Sequence, residues 1–157
     1  MILNAAIRAS CRVCCHLISK HYSWLVPAGT KLSLKLAATT HSSPTPTSDA
    51  RGDKTTKKYR EWMKQNYLAC TERLLQLLCH RELEVRWLAL GSLVKLMQAE
   101  GSAHQRLSHA YIFPNTFFHM VVVHLLNNVE DMSDLIGRFR EYLEYDDVRF
   151  YWLKNIA

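Results

Sequence analysis

The chain has 157 residues, enough for one domain with a sizeable core, and its 48% hydrophobic content excludes a chain that is disordered throughout. The net charge of +6 is uneven, because residues 1–69 carry 11 Lys and Arg against 3 Asp and Glu, whereas residues 70–157 carry 9 against 11. A basic first half is compatible with binding of RNA or another polyanion, although a solvated positive face is the commoner origin of such an excess.

The N-terminal segment, residues 1–27, is predicted to form an amphipathic helix that ends near Pro27, since proline cannot continue a helix. No Asp or Glu occurs in the first 48 residues, so this segment also has the composition of a mitochondrial presequence. Both interpretations fit the pattern. The predicted inward positions of the helix are Ile2, Ala5 or Ala6, Ala9, Val13, Leu17 and Ile18.

The five cysteines are odd in number and lie within helical patterns, which disfavours a secreted disulfide framework. Cys11, Cys14, Cys15 and His16 offer zinc-ligand chemistry, but no second ligand pair follows at a finger or ribbon spacing. Adjacent helical cysteines also point about 100° apart. We therefore expect the cysteines to pack as small buried residues and expect no metal site.

Residues 28–56 are predicted to be a flexible linker between the first helix and the rest of the chain. Residues 37–56 are rich in Ser, Thr and Pro and almost free of large apolar side chains, so burial cannot offset their ordering entropy. Ser43 and Thr45 each precede a proline and are candidate phosphorylation sites within this linker.

The ordered helical region is predicted to occupy residues 57–157, and its first helix shows an apolar stripe about six turns long. Basic residues at its start interleave with Tyr59 and Trp62, which is typical of single-stranded RNA binding, where cations meet phosphates and rings stack on bases. The favoured interpretation is that the rings face the core, because Tyr59 and Met63 lie four residues apart. The candidate residues for contact with RNA or a partner are Lys54, Lys57, Lys58, Arg60 and Lys64.

Residues 82–101, ELEVRWLALGSLVKLMQAEG, form a predicted helix with two apolar faces. Such a helix is expected to be sandwiched between a partner helix and a following layer, as in stacked helical pairs. The pattern resembles the second helix of a HEAT-type repeat, whose arginine reaches the neighbouring repeat; the buried helix of any small bundle is the alternative. The first face comprises Val85, Leu88, Ala89, Ser92, Leu93 and Leu96, the second Leu83, Trp87, Leu90, Val94 and Met97, and the polar positions are Glu82, Glu84, Arg86, Lys95, Gln98 and Glu100.

Three further helices are predicted: residues 116–129, whose three consecutive valines also suit a strand, residues 131–143, and a last run from Asp146. Asp146 and Asp147 before that run are predicted to cap it, and binding of a divalent ion together with Glu144 is the alternative. The last run, VRFYWLKNIA, is apolar enough to require another layer. We therefore expect either oligomerisation or a longer parent sequence.

No motif in the sequence supports an enzyme, since it has no glycine-rich phosphate loop, nucleophile elbow, or helix with paired histidines and an intervening glutamate. We expect no catalytic residue and no cofactor. Residues 107–129 lack Lys, Arg, Asp and Glu but are interrupted by Ser, His, Pro and Asn, so no membrane span is predicted.

Four blocks together resemble the N-terminal part of the nucleolar complex protein 4 family, which consists of eukaryotic ribosome-biogenesis factors. They are KYREWMKQNYLACTERLLQLL, VRWLALGSLVKLMQAEG, YIFPNTFFHMVVVHLL and FREYLEYDDVRF. The resemblance covers residues 57–153, and FREYLEYDD is its most specific piece, because helical patterning does not dictate that order of aromatic and acidic residues. Residues 5–26 resemble the preceding family helix more loosely.

The resemblance implies an all-α, HEAT-like or α-solenoid scaffold without catalytic activity, located in the nucleus and nucleolus. It implies protein–protein contacts with a Nop-type partner in the small-subunit processome and with the pre-ribosomal particle, in support of small-subunit rRNA maturation.

Members of this family are several times longer and carry a C-terminal helical region, shared with CCAAT-binding-factor-like proteins, that this sequence lacks. We therefore expect a truncated segment, to which the partner surface of that region cannot be transferred. Two alternatives remain: a soluble mitochondrial helical protein with a presequence, and a basic nuclear RNA-binding helical module.

Overall fold

The computed structural model describes residues 1–21, 50–108, 112–128 and 130–157, and every regular element in these ranges is helical. This confirms the all-α prediction and excludes the strand alternative for residues 116–126. The main helices are α1 (Ile2–His21), α2 (Ala50–Gln76), α3 (Leu83–Ser108), α4 (Asn115–Leu126), α5 (Ser133–Phe139) and α6 (Asp146–Ile156), with short 3₁₀ helices at Leu77–Cys79 and Arg140–Glu144.

Helix α3 lies at the centre of the fold, in contact with α1, α2, α4 and α5, while α6 packs on α4. Both predicted faces of α3 are buried along most of their length, including Leu93 on the first face and Leu90 on the second. The prediction is wrong for Leu83 and Trp87, which are 42% and 41% exposed. The Arg138 Cζ atom lies 5.7 Å from the centroid of the Trp87 ring, so a charged group rather than an apolar layer adjoins that ring.

Arg86 has a polar, outward position in the predicted helix but is buried in the structure. Its Nη2 donates a hydrogen bond to the Asp131 carbonyl oxygen at 2.8 Å and contacts the Met132 sulfur at 3.4 Å. The outward prediction is therefore wrong, because a backbone acceptor on the connection to α5 compensates part of the desolvation of the guanidinium. The contact does match the role expected from a HEAT-type repeat, in which this arginine reaches the next helical unit.

Helix α1 docks on α3 through a stripe that includes Ile7, Cys11 and Ile18, all of them buried. Most of the predicted inward residues are instead exposed: Ile2 at 88%, Val13 at 57%, and also Ala5, Ala6 and Ala9. Of the predicted set, Ile18 is buried and Leu17 is half-buried. The stripe is shifted because the small cysteine side chains let α1 approach the backbone of α3 closely. The predicted helix end at residues 24–27 lies outside the described residues.

Helix α2 begins at Ala50, so the last seven residues of the predicted linker, 50–56, are helical. Extending an existing helix costs little compared with nucleating one, which explains why the helix continues into a polar sequence. Residues 28–49 of the predicted linker lie outside the described residues. The first buried side chain of α2 is Met63, and the described side chains before it are exposed.

The C-terminal helices enclose an aromatic cluster. Phe139 lies at its centre, with ring centroids 5.9 Å from Phe118 and 4.9 Å from Trp152. The helix predicted at residues 131–143 is shorter than expected, since α5 ends at Phe139 and the chain tightens into a 3₁₀ turn. Predicted inward residue Ile136 is 37% exposed. Within the described ranges, no helix has both the length and the apolar character needed to cross a bilayer.

Candidate interaction surface

The five basic residues predicted as contact residues all lie near the start of α2 and point away from the packed core. Lys54, Lys57, Lys58 and Arg60 are exposed, and Lys64 is half-buried. The described part of this segment is a continuous helix, which at 1.5 Å per residue spreads the charges over about 15 Å. The segment therefore presents a dense row of cations to solvent.

Tyr59 and Trp62 lie among these cations rather than in the core. Their side chains are 58% and 55% exposed. The two rings stack on each other, with centroids 6.1 Å apart and an interplanar angle of 26°. The prediction that they face the core is wrong, because the other described helices cover α2 only from Met63 onward and leave no layer for Tyr59 to pack against.

We call this surface the basic–aromatic face; it comprises Lys54, Lys57, Lys58, Tyr59, Arg60, Trp62 and Lys64. The single carboxylate in the same stretch is that of Glu61, whose Oε1 accepts a hydrogen bond from Gln65 Nε2 at 3.4 Å. Among the described residues, none of the five cations forms an ion pair; the ion pairs found there lie in the C-terminal half. Among the described side chains, the face is therefore strongly positive.

A polar pair lies deeper, between α2 and α3. The Tyr67 hydroxyl donates a short hydrogen bond to Glu100 Oε1. Burial raises the pKa of Glu100 above its usual range, and the hydrogen bond from Tyr67 lowers it by less. Burial and the neighbouring Glu100 charge raise the pKa of Tyr67. This pair fixes the alignment of the two helices, since each buried polar group needs the other.

The five cysteines are unpaired thiols that pack against the core. Cys11 is buried as predicted, whereas the other four are only half-buried. The Cys11 thiol donates to the Ser92 carbonyl oxygen at 3.8 Å. A hydrogen bond from the Cys14 thiol lowers the pKa of Cys70 to about 7, against the effect of burial. The same interaction raises the pKa of Cys14. Cys70 is therefore the more reactive thiol of the two.

A cavity of about 160 Å³ lies between α3, α4 and the C-terminal helices. Apolar side chains, including Met97, Phe118 and Phe139, form most of its wall. The lining residues with polar groups are Gln98, Tyr142, Tyr145 and Asp147. An apolar enclosure of this size accommodates about one aromatic ring. Its lining therefore offers mainly shape and hydrophobicity.

The described residues contain no group of three or more His, Cys, Asp or Glu side chains placed to hold a metal ion. The aspartates predicted to cap the last helix contact their near neighbours: Asp146 pairs with Arg149, and Asp147 Oδ1 accepts from the backbone N–H of Val148 at 2.8 Å. Tyr145 occupies the N-cap position, so neither aspartate is the N-cap residue itself. Asp147 nevertheless accepts a backbone N–H of the first turn, which is the interaction that the prediction assigned to these aspartates.

Comparison with known proteins shows which family this chain is similar to. Residues 42–157 match the family model described as "Nucleolar complex protein 4-like, TPR repeats". The chain is 43% identical over 103 residues to the human protein named "Nucleolar complex protein 4 homolog", covering 63% of this chain and 20% of that protein. It is 46% identical over 100 residues to the rat protein of that name, covering 61% and 19%.

The zebrafish (Danio rerio) protein of the same name is 37% identical over 111 residues, covering 68% of this chain and 21% of its own length. The chain thus spans about a fifth of the length of these curated relatives. No solved structure matches. The TPR description agrees with the predicted solenoid of helical pairs, although TPR is a different repeat class from the predicted HEAT type.

Proposed function

Because the chain belongs to the nucleolar complex protein 4-like family, we propose that it acts in ribosome biogenesis as a non-catalytic scaffold. Its family places it in the nucleolus, within the nucleus. The single observation that carries the proposal is that the family match covers residues 42–157, which include the whole packed set from α2 to α6.

The finer part of the proposal concerns the assembly in which the chain works. We propose that it supports assembly of the small-subunit processome and maturation of small-subunit rRNA, through protein–protein contacts with a Nop-type partner and the pre-ribosomal particle. The fold is suited to this role, because stacked helical pairs expose long surfaces for partners while burying a continuous core.

The accessible surface of this chain supports a scaffold role. Phe150, Leu153 and Ile156 form an apolar stripe on α6 and are 61%, 58% and 47% exposed. Exposed apolar side chains arranged at three-residue steps on one helix are typical of a surface that contacts another protein layer.

The mitochondrial alternative, based on the acid-free N-terminus, is weakened by the packing of α1. Cleavage of a presequence would remove Ile7, Cys11 and Ile18 from the core and uncover α3. A targeting segment that is removed after import has no reason to contribute buried residues to the mature fold.

The proposal is tested by affinity purification of the tagged chain from nuclear extract, with and without RNase treatment, followed by mass spectrometry. We expect small-subunit processome proteins in both samples, since the proposed contacts are between proteins. A Leu93→Asp variant, which places a charge in the core, serves as the unfolded control and should recover none of them.

Recovery that disappears after RNase treatment would overturn the protein–protein mode of association. Recovery of mitochondrial proteins, or of no ribosome-assembly factor in either sample, would overturn the proposed role of this chain as a whole.

A further inference from the structure

The start of α2 has a feature that scaffold packing does not explain. From Lys54 to Trp62 every side chain is exposed, so two and a half turns of helix extend beyond the residues that pack on α1 and α3. Isolated helices of this length are marginal in water, and most helical stability in proteins comes from a packed face. This segment has no packed face among the described residues.

The charge of the segment favours a polyanion. Five cations stand within eleven residues against the single carboxylate of Glu61, and that carboxylate is held by Gln65 rather than by a lysine. Cations that are not paired internally remain available to replace the counterions of a phosphate backbone, which is the main source of non-specific nucleic-acid affinity.

The exposed aromatic pair indicates which class of polyanion this surface fits. Tyr59 and Trp62 stack on each other and remain more than half exposed. Lys58 precedes Trp62 by one helical turn, so a cation adjoins the rings. Rings of this kind bind unpaired bases by stacking. In duplex RNA the bases are already stacked on one another, and proteins recognise the duplex by shape and backbone contacts instead.

We propose that the basic–aromatic face binds single-stranded RNA, with the rings of Tyr59 and Trp62 stacking on bases and the flanking lysines and Arg60 contacting phosphates. This deepens the proposed function, because it assigns to one surface of the scaffold a direct contact with RNA. The contact needs no sequence-specific reading of base edges, since every base has a face on which a ring can stack.

The test uses the purified 157-residue chain and fluorescence anisotropy with a labelled oligouridine of about 12 nucleotides. We expect Trp62→Ala and Tyr59→Ala each to weaken binding by about tenfold, because each removes the ring on which one base stacks. The matched control is Trp87→Ala, which removes an exposed tryptophan on α3 and should leave the affinity unchanged. Circular dichroism checks that each variant is folded.

The charge component is measured separately, from the salt dependence of the same binding reaction. Neutralising Lys57, Lys58 and Arg60 should reduce the slope of log affinity against log salt by about one unit for each cation that no longer meets a phosphate. Lys95→Gln, which removes an exposed lysine on α3, is the matched control and should not alter the slope. The ring variants should weaken binding without a comparable change in slope.

Three results would overturn the proposal: no binding of oligouridine by the unaltered chain, an equal decrease in affinity with Trp87→Ala and Trp62→Ala, or equal affinity for a duplex of the same length. Preferential binding of an acidic peptide over oligouridine would also overturn it, in favour of a protein ligand. None of these results bears on recovery of processome proteins from RNase-treated extract, so failure of this proposal and failure of the proposed function are distinguishable.

Discussion

The middle of α3 and the start of α2 carry large apolar side chains at similar helical spacing but lie in opposite environments. Leu90 and Leu93 on α3 are fully buried, whereas Tyr59 and Trp62 on α2 are more than half exposed. The difference comes from neighbours rather than from pattern, because α3 has helices on several sides and the start of α2 extends past the other described helices. Periodicity identifies a face that can be buried; the tertiary fold decides whether it is.

The largest effect is expected at the centre of α3. Leu93→Ala should reduce the free energy of unfolding by about 2–5 kcal/mol, because it removes a fully buried side chain and leaves a cavity. Val13→Ala, at an exposed position of α1, is the control and should remain within about 0.5 kcal/mol. Urea denaturation measures both. Equal destabilisation by the two variants would mean that α3 is not the centre of the core.

The buried pair between α2 and α3 should give the next largest effect. Tyr67→Phe removes the donor to Glu100 and should reduce the free energy of unfolding by about 1.5–3 kcal/mol at neutral pH. Burial already raises the pKa of Glu100 in the folded state, and removal of the hydrogen bond raises it further. Stability linked to Glu100 is therefore present at low pH and is lost as pH rises through the folded-state pKa.

The pH dependence of this variant sharpens the test. Denaturation at several pH values should show that the destabilisation in Tyr67→Phe grows from acid to neutral pH. Glu100→Gln keeps an acceptor for the Tyr67 hydroxyl but cannot ionise, so it should lack that pH-dependent destabilisation. A destabilisation by Tyr67→Phe that is the same at every pH would show that Glu100 does not titrate in a buried site.

Trp87 is more exposed than Leu93 and less exposed than Trp62, so its substitution tests where the buried part of α3 ends. Trp87→Ala should cost about 1–2 kcal/mol, less than the about 3–5 kcal/mol expected for a fully buried tryptophan. The reason is that the side chain is 41% exposed and has the Arg138 guanidinium beside its ring. Denaturation beside Leu93→Ala gives the comparison. A destabilisation as large as that of a buried ring would contradict the exposure of Trp87 and support the second buried apolar face that the sequence predicts.

The smallest expected effect concerns reactivity rather than stability. The rate of Cys70 alkylation by iodoacetamide should rise with pH around a midpoint of about 7, since the Cys14 thiol stabilises the Cys70 thiolate. In Cys14→Ala the midpoint should move up toward the ordinary thiol value. Peptide mass spectrometry distinguishes Cys70 from Cys79, which serves as the internal control. An unchanged midpoint would contradict the Cys14–Cys70 hydrogen bond.

The sign of the linked stability follows from the lowered pKa of Cys70. A group whose folded-state pKa is depressed from 9.0 to about 7 contributes stability that is present above pH 9 and is lost as pH falls through about 7. The contribution of this thiol therefore increases between these two values.

Much of the fold follows from the sequence, because apolar positions recur at helical spacing in every described helix. The block FREYLEYDD in the sequence also resembles the family. It does not reveal that Arg86 is buried, since its acceptor, the Asp131 carbonyl oxygen, is 45 residues away. The exposure of Tyr59 cannot be predicted from the sequence for a similar reason. It depends on where the other described helices stop covering α2, which is a property of tertiary packing. The signal that points to it is the density of lysines around the ring.

The division between the packed core and the exposed start of α2 is tested most directly by hydrogen–deuterium exchange of the purified chain. We predict slow exchange across residues 85–97 of α3 and fast exchange across residues 54–62 of α2, because local opening is easiest where few side chains are buried. Added oligouridine should slow exchange in the second segment. Protection of residues 54–62 equal to that of α3 in the free chain would contradict the account.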